Sequence, residues 1–133
     1  MSYNLYLDDL RVPYDTFNYS KDSRYTKLKW VIVRSYKEFV RAVETLGIPN
    51  LVSFDHDLAD EHYDTLGQTD FLSLSEYYLS NDREMTGYDC AKWLCDYCID
   101  NNEKFPNYLI HSWNRIGSEN IKGYITNFIK HNN

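Results

Sequence analysis

The chain has 133 residues, 43% hydrophobic and 17% aromatic, with a formal net charge of −6. That is enough apolar material for one domain with its own core, and the acidic balance argues against extended duplex nucleic acid or an anionic membrane as a partner. No run nears the roughly 18 apolar residues of a membrane span, and the N-terminus enters a strand instead of a basic-then-apolar leader, so a cytoplasmic protein is expected.

In chain order, residues 4–8 read as a short buried strand ending in Asp8-Asp9. Arg11 and Pro13 follow, and the proline is expected to discourage further regular structure. Residues 14–29 form a polar stretch rich in tyrosine. Trp30-Val31-Ile32-Val33 is β-branched and apolar, a second strand. Ser35-Tyr36-Lys37-Glu38 has the form of a capping box, and Phe39, Val40, Val43 and Leu46 recur at helical spacing until Gly47 and Pro49. Leu51 to Phe54 is a third strand, apolar or small throughout, as a strand covered on both faces should be.

The net charge is local. Residues 59–85 carry seven carboxylates and Arg83 as their sole base, so the remainder is balanced and a phosphate-bearing ligand can still meet Arg11, Arg34 or Arg115. This acidic insert and the 14–29 stretch are both longer than the usual connections of about four to six residues. Either could act as a lid over a site or pack on the flank of the sheet.

Thr86-Gly87-Tyr88-Asp89 opens a helix expected to run through Asn101. Its apolar face includes Cys90, Cys95 and Cys98, an odd set that argues for packing, not for a disulfide framework. Cys95 and Cys98 are spaced as C-x-x-C, yet they sit late in the helix and have no second pair for zinc. Tyr108 to Ile110 is the last strand, and a final helix beginning at Gly117-Ser118 presents Ile121, Ile125, Phe128 and Ile129. The mostly alternating order of strands and helices favours a three-layer α/β sandwich with a largely parallel sheet.

In such a sheet the strand ends on one edge form the crevice that holds a ligand. Asp8, Asp9, Asp55 and Asp57 lie at two of those ends. Carboxylates so close cannot all ionise without a cation between them, and a hard divalent ion, Mg²⁺ or Mn²⁺, suits oxygen donors. The competing reading makes Asp8 a loop cap and Asp9 a solvated charge. Alternation along the strand sends Asp55 and Asp57 to one side and His56 to the other, provided the chain is still extended there. Asp55 could hold the ion or attack phosphorus directly.

His111, Ser112 and Asn114 follow the last strand. The imidazole could transfer a proton, coordinate the ion, or simply pack. Ser112 and Asn114, with the free N–H groups of a helix opening at Gly117-Ser118, would cradle a phosphate. Thr86 could add a hydroxyl to the same anion or merely cap its helix. Arg11 could clamp the phosphate bidentately or pair with a neighbouring aspartate.

Four segments match one family in order: Leu7-Asp8-Asp9-Leu10-Arg11-Val12-Pro13, Phe54-Asp55-His56-Asp57-Leu58, Thr86-Gly87, and His111-Ser112-Trp113-Asn114-Arg115-Ile116-Gly117. On these the chain resembles the cyclic-phosphate processing receiver domains over nearly its whole length. The resemblance implies a receiver-like (flavodoxin-like) fold; the acidic insertion after the third strand has no counterpart in the simple receiver plan. It also implies the acidic pocket of receivers, turned to cyclic phosphate ends such as a 2′,3′-cyclic phosphate on RNA or a nucleotide. Asp8, Asp9 and Asp55 would then occupy the metal and phosphoacceptor edge, with His56 and His111 as added acid–base groups. Unlike signalling receivers, this chain has no lysine after its last strand, which disfavours ordinary phosphotransfer.

The leading expectation is a metal-dependent phosphoesterase acting on a phosphorylated nucleotide or RNA end: Asp8, Asp9, Asp55 and Asp57 hold the ion, Arg11, Thr86, Ser112, Asn114 and Ser118 hold the phosphate, and Asp55, His56 and His111 carry the chemistry. A haloacid-dehalogenase-like phosphatase using Asp55-His56-Asp57 is a second reading, although that motif belongs on a first strand. A receiver-like module that binds a nucleotide or a protein without changing it is the third.

Overall fold

The computed structural model describes residues 2–58 and 85–132. Four strands, β1 (Asn4–Leu7), β2 (Trp30–Val33), β3 (Leu51–Phe54) and β4 (Asn107–Ile110), form one sheet in the order β2-β1-β3-β4. Every pairing is parallel. The helices are α1 (Pro13–Ser20), α2 (Arg24–Lys27), α3 (Tyr36–Leu46), α4 (Gly87–Asp100) and α5 (Arg115–Asn132). This is the expected receiver-like α/β architecture. The acidic insert at 59–85, with its proposed lid, lies outside the described residues except for Met85.

The two faces of the sheet have different chemistry because side chains alternate along each strand. Leu5 and Leu7 of β1 and Val52 and Phe54 of β3 point into an apolar core with Phe39 and Val43 of α3, Cys90, Leu94, Cys95 and Cys98 of α4, and Ile121 and Ile125 of α5. All three thiols are buried and free, and burial pushes Cys95 up to about 12 and Cys98 to about 11. They pack, as the helical spacing implies. The opposite face carries Tyr6 and Ser53, which meet α1 and α2: Tyr6 Oη shares a 2.6 Å hydrogen bond with Thr16, and Tyr25 Oη shares one of 2.6 Å with Ser53.

Two expectations about local structure require correction. Residues 14–29 are not an irregular stretch but contain α1 and α2. Pro13 starts α1 at its first position, where a missing N–H costs nothing, and the Asp15 carboxylate accepts the Val12 N–H at 2.9 Å. The last helix begins at Arg115, earlier than Gly117, because the Asn114 side chain caps it by accepting the Gly117 N–H at 2.8 Å. The other caps follow the pattern read from the sequence. Ser35 accepts from the Glu38 N–H while Glu38 accepts from Arg34, and Thr86 and Asp89 cap α4 reciprocally. Gly47 ends α3 at φ +89°, a conformation that suits glycine.

Candidate functional site

Parallel register brings three distant residues side by side. Beyond the strand ends the ladder continues by one step: Asp8 N–H bonds Val33 O, Asp55 N–H bonds Leu7 O at 3.0 Å, and His111 N–H bonds Phe54 O at 2.9 Å. Asp8, Asp55 and His111 therefore occupy one row across β1, β3 and β4, at the edge where strand carboxyl ends form a crevice. Asp8 and Asp55 are almost completely buried there, and carboxylate oxygens of Asp8, Asp9 and Asp55 lie within 4.8 Å of one another.

The two buried acids differ in electrostatics. Burial alone would raise the Asp8 carboxyl, but it accepts from His111 and from the backbone N–H groups of Arg11 and Leu10, and these hold it down at about 2. Asp55 moves the other way. Burial, reinforced by the Asp8 charge beside it, raises its carboxyl, only partly offset by His111, Arg11 and the His56 N–H. The Arg11 guanidinium spans both acids, 3.3 Å from Asp8 and 3.8 Å from Asp55, and donates to Tyr19 Oη at 3.2 Å. Its backbone carbonyl is held in turn by Arg34 at 2.6 Å. Arg11 thus pairs with the acids of the crevice here, the alternative weighed against a phosphate clamp.

His111 lies beneath the crevice, only 4% exposed. Its ring stacks on Tyr6 with centroids 4.5 Å apart and planes 8° from parallel. Nε2 contacts Asp8 Oδ2 at 3.0 Å, and Nδ1 contacts Ser53 Oγ at 2.6 Å. Because ionised Asp8 can only accept, Nε2 carries a proton toward it, while Nδ1 shares its bond with the Ser53 hydroxyl and Ser53 shares another with Tyr25. This chain is closed. His111 positions Asp8 and has no face for a ligand.

His56 is the partly exposed imidazole of the site, 18% in its side chain. Nδ1 lies 2.9 Å from Asp57 Oδ1 and 3.4 Å from Asn114 Nδ2, which also donates to Asp57 at 3.3 Å. Asp57, 64% exposed in its side chain, orients this ring and is not among the clustered acids. Among the described residues nothing bonds His56 Nε2, the nitrogen free to exchange a proton. Two glycines make room for the segment. A Cβ at Gly117 would overlap the His56 ring, and one at Gly87 would overlap the Asp55 carbonyl, where Gly87 N–H donates to His56 O at 2.7 Å.

The groups expected to cradle phosphate are engaged locally. Ser112 Oγ accepts the Asn114 N–H at 3.0 Å, Ser118 Oγ donates to Ser112 O at 3.4 Å, and the Ser118 N–H bonds Asn114 O at 2.8 Å. Thr86 exchanges hydrogen bonds with Asp89. These residues shape the α4 and α5 starts beside the crevice. Tyr19 and Tyr25 of the tyrosine-rich stretch belong to the site, and Ser53 joins them without having been singled out. Ser53 was detectable as the lone polar residue within β3, two places before Asp55 and therefore on its face.

The family model described as the cyclic-phosphate processing receiver domain matches residues 3–127. No match was found among curated proteins or among solved structures.

Proposed function

Since this chain belongs to the cyclic-phosphate processing receiver domain family, we propose that it is a divalent-metal-dependent phosphoesterase that opens a 2′,3′-cyclic phosphate on a nucleotide or RNA end. The observation that supports this reading is the gathering of carboxylate oxygens from Asp8, Asp9 and Asp55 within 4.8 Å, with His56 next to Asp55 in the chain. The donor set fits Mg²⁺ or Mn²⁺, being all hard oxygen, with no thiolate among the clustered ligands. The raised Asp55 carboxyl, pushed up first by burial and then by the Asp8 charge beside it, is a group whose ionised form a bound cation would favour. When bound, the ion would polarise the phosphoryl oxygens and offset charge developing on them.

The chain's own residues divide the remaining work. Asp8, fixed by His111 and two backbone N–H groups, and Asp9 present oxygens at the end of β1, and Asp55 presents its own at the end of β3. Arg11 supplies a positive group at the same edge. His56, aligned through Nδ1 by Asp57, whose carboxylate Asn114 also holds, moves protons at Nε2. One P–O bond forms to the attacking water and one breaks to a ribose oxygen. The leaving oxygen takes its proton from His56, and the ring regains one from the water.

Incubation of the protein and Mg²⁺ or Mn²⁺ with 2′,3′-cyclic AMP, followed by ³¹P NMR, tests the proposal. The expected result is a phosphomonoester signal that a chelator abolishes and that His56→Ala reduces about 10²- to 10⁴-fold. Cyclic substrate that binds yet stays intact with either ion would overturn it in favour of a binding module.

A further inference from the structure

Large apolar side chains stand exposed at the edge that holds the acids. Leu10 follows β1, Trp113 follows β4, and Ile116 lies in the first turn of α5; they are 73%, 71% and 75% exposed. Exposed aromatic surface costs free energy in water, so its position beside a charged crevice calls for a ligand with an apolar face. Trp113 is the most specific of them because it is seated. Its ring lies 4.8 Å from that of Tyr19, inclined by 53°, and Tyr19 is itself fixed by donating to His111 O at 2.6 Å.

The shelf is joined to the acids through a single side chain. Arg11 contacts Asp55 and Asp8 on one side and the Tyr19 hydroxyl on the other, with its guanidinium carbon 5.8 Å from the Tyr19 ring centre. Asp55, Arg11, Tyr19 and Trp113 form a continuous path from a phosphate-handling edge to a flat π surface. A nucleotide has that same sequence of parts: an anion, a short sugar, and a planar base. Base stacking on an aromatic side chain is tolerant of base identity and worth about 1–3 kcal/mol.

We propose that Trp113, braced by Tyr19, is the stacking platform for the base of the substrate, which makes the substrate class nucleosidic. This rests on the reading of the acidic edge as the phosphate site. The platform acts in binding and takes no part in bond breaking.

Calorimetric titration of the intact protein with Mg²⁺ and either adenosine 2′-monophosphate or glycerol 2-phosphate tests it, since the two monoesters differ by the presence of a nucleoside. The nucleotide is expected to bind about 5- to 150-fold more tightly. Trp113→Ala should remove most of that difference while leaving glycerol 2-phosphate unaffected, and Trp113→Phe should retain much of it. Equal affinity for the two ligands, failure of the nucleotide to bind, or an unchanged preference in Trp113→Ala would each overturn the platform. A Trp113-dependent nucleotide preference without hydrolysis of 2′,3′-cyclic AMP would sink the phosphoesterase reading and keep the platform. Hydrolysis of 2′,3′-cyclic AMP with no Trp113 dependence would do the reverse.

Discussion

His111 Nε2 and Asp8 Oδ2 meet at 3.0 Å although 103 positions separate them in the chain. Neither has solvent to fall back on, and the far nitrogen of the ring is bonded to Ser53. Substituting His111 by Ala should leave Asp8 and Ser53 without a buried partner and destabilise the fold by about 1 to 3 kcal/mol. His56→Ala, at a partly exposed ring whose partner Asp57 reaches solvent, should cost less than His111→Ala while abolishing most turnover. Urea unfolding of both variants, alongside their activity, separates the roles. Equal stability losses would contradict the division between a positioning and a reacting histidine.

Acid sensitivity should carry the mark of Asp8. Its carboxyl sits at about 2 in the fold against an ordinary 3.8, so the contribution of this group is present above pH 4 and lost as pH falls toward 2. The difference corresponds to about 2 kcal/mol. Asp8→Asn should therefore flatten the stability profile between pH 4 and 2. Profiles of equal slope in variant and parent would refute this account.

Asp55 should behave oppositely. A carboxyl raised by burial and by its neighbour disfavours the charged form, so at neutral pH without divalent ions Asp55→Asn should melt at a higher temperature than the parent. Mg²⁺ or Mn²⁺ should then stabilise the parent by about 3 kcal/mol at a hundredfold excess over the dissociation constant. The variant should lose most of that gain. Thermal melts across an ion titration provide the check, and a parent indifferent to both ions would count against a metal site.

Gly117→Ala isolates the placement of His56. A methyl group there collides with the imidazole, which must leave Asp57 and Asn114. Alanine also improves helix propensity by up to about 1 kcal/mol. Stability should change little while activity falls at least tenfold. Wild-type turnover in Gly117→Ala would show that the orientation of the ring is irrelevant to the reaction.

Much of this arrangement was legible in the sequence because carboxylates and an imidazole directly follow short apolar runs. Given a parallel sheet, Asp8, Asp55 and His111 had to share an edge, and their common row follows from the pairing of Leu7 with Phe54 and of Phe54 with Ile110. What the letters did not reveal was the direction of each group. His111 looked like a reacting residue, yet Tyr6, Ser53 and Tyr25 enclose it from the sheet face and from α2. Asp57 looked like a further ligand, yet the chain has left the strand after Phe54 and turns that side chain to His56. Pro13 looked like a breaker, yet the same ring is harmless at the first position of a helix. In each case the outcome depends on partners or on position within an element, which hydrophobic periodicity does not encode.

The bond from Gly87 N–H to His56 O ties together the two points between which the acidic segment departs and returns. The α4 start and the residue after Asp55 are therefore fastened as one unit, so a change at Gly87 is passed directly to the backbone that carries the imidazole.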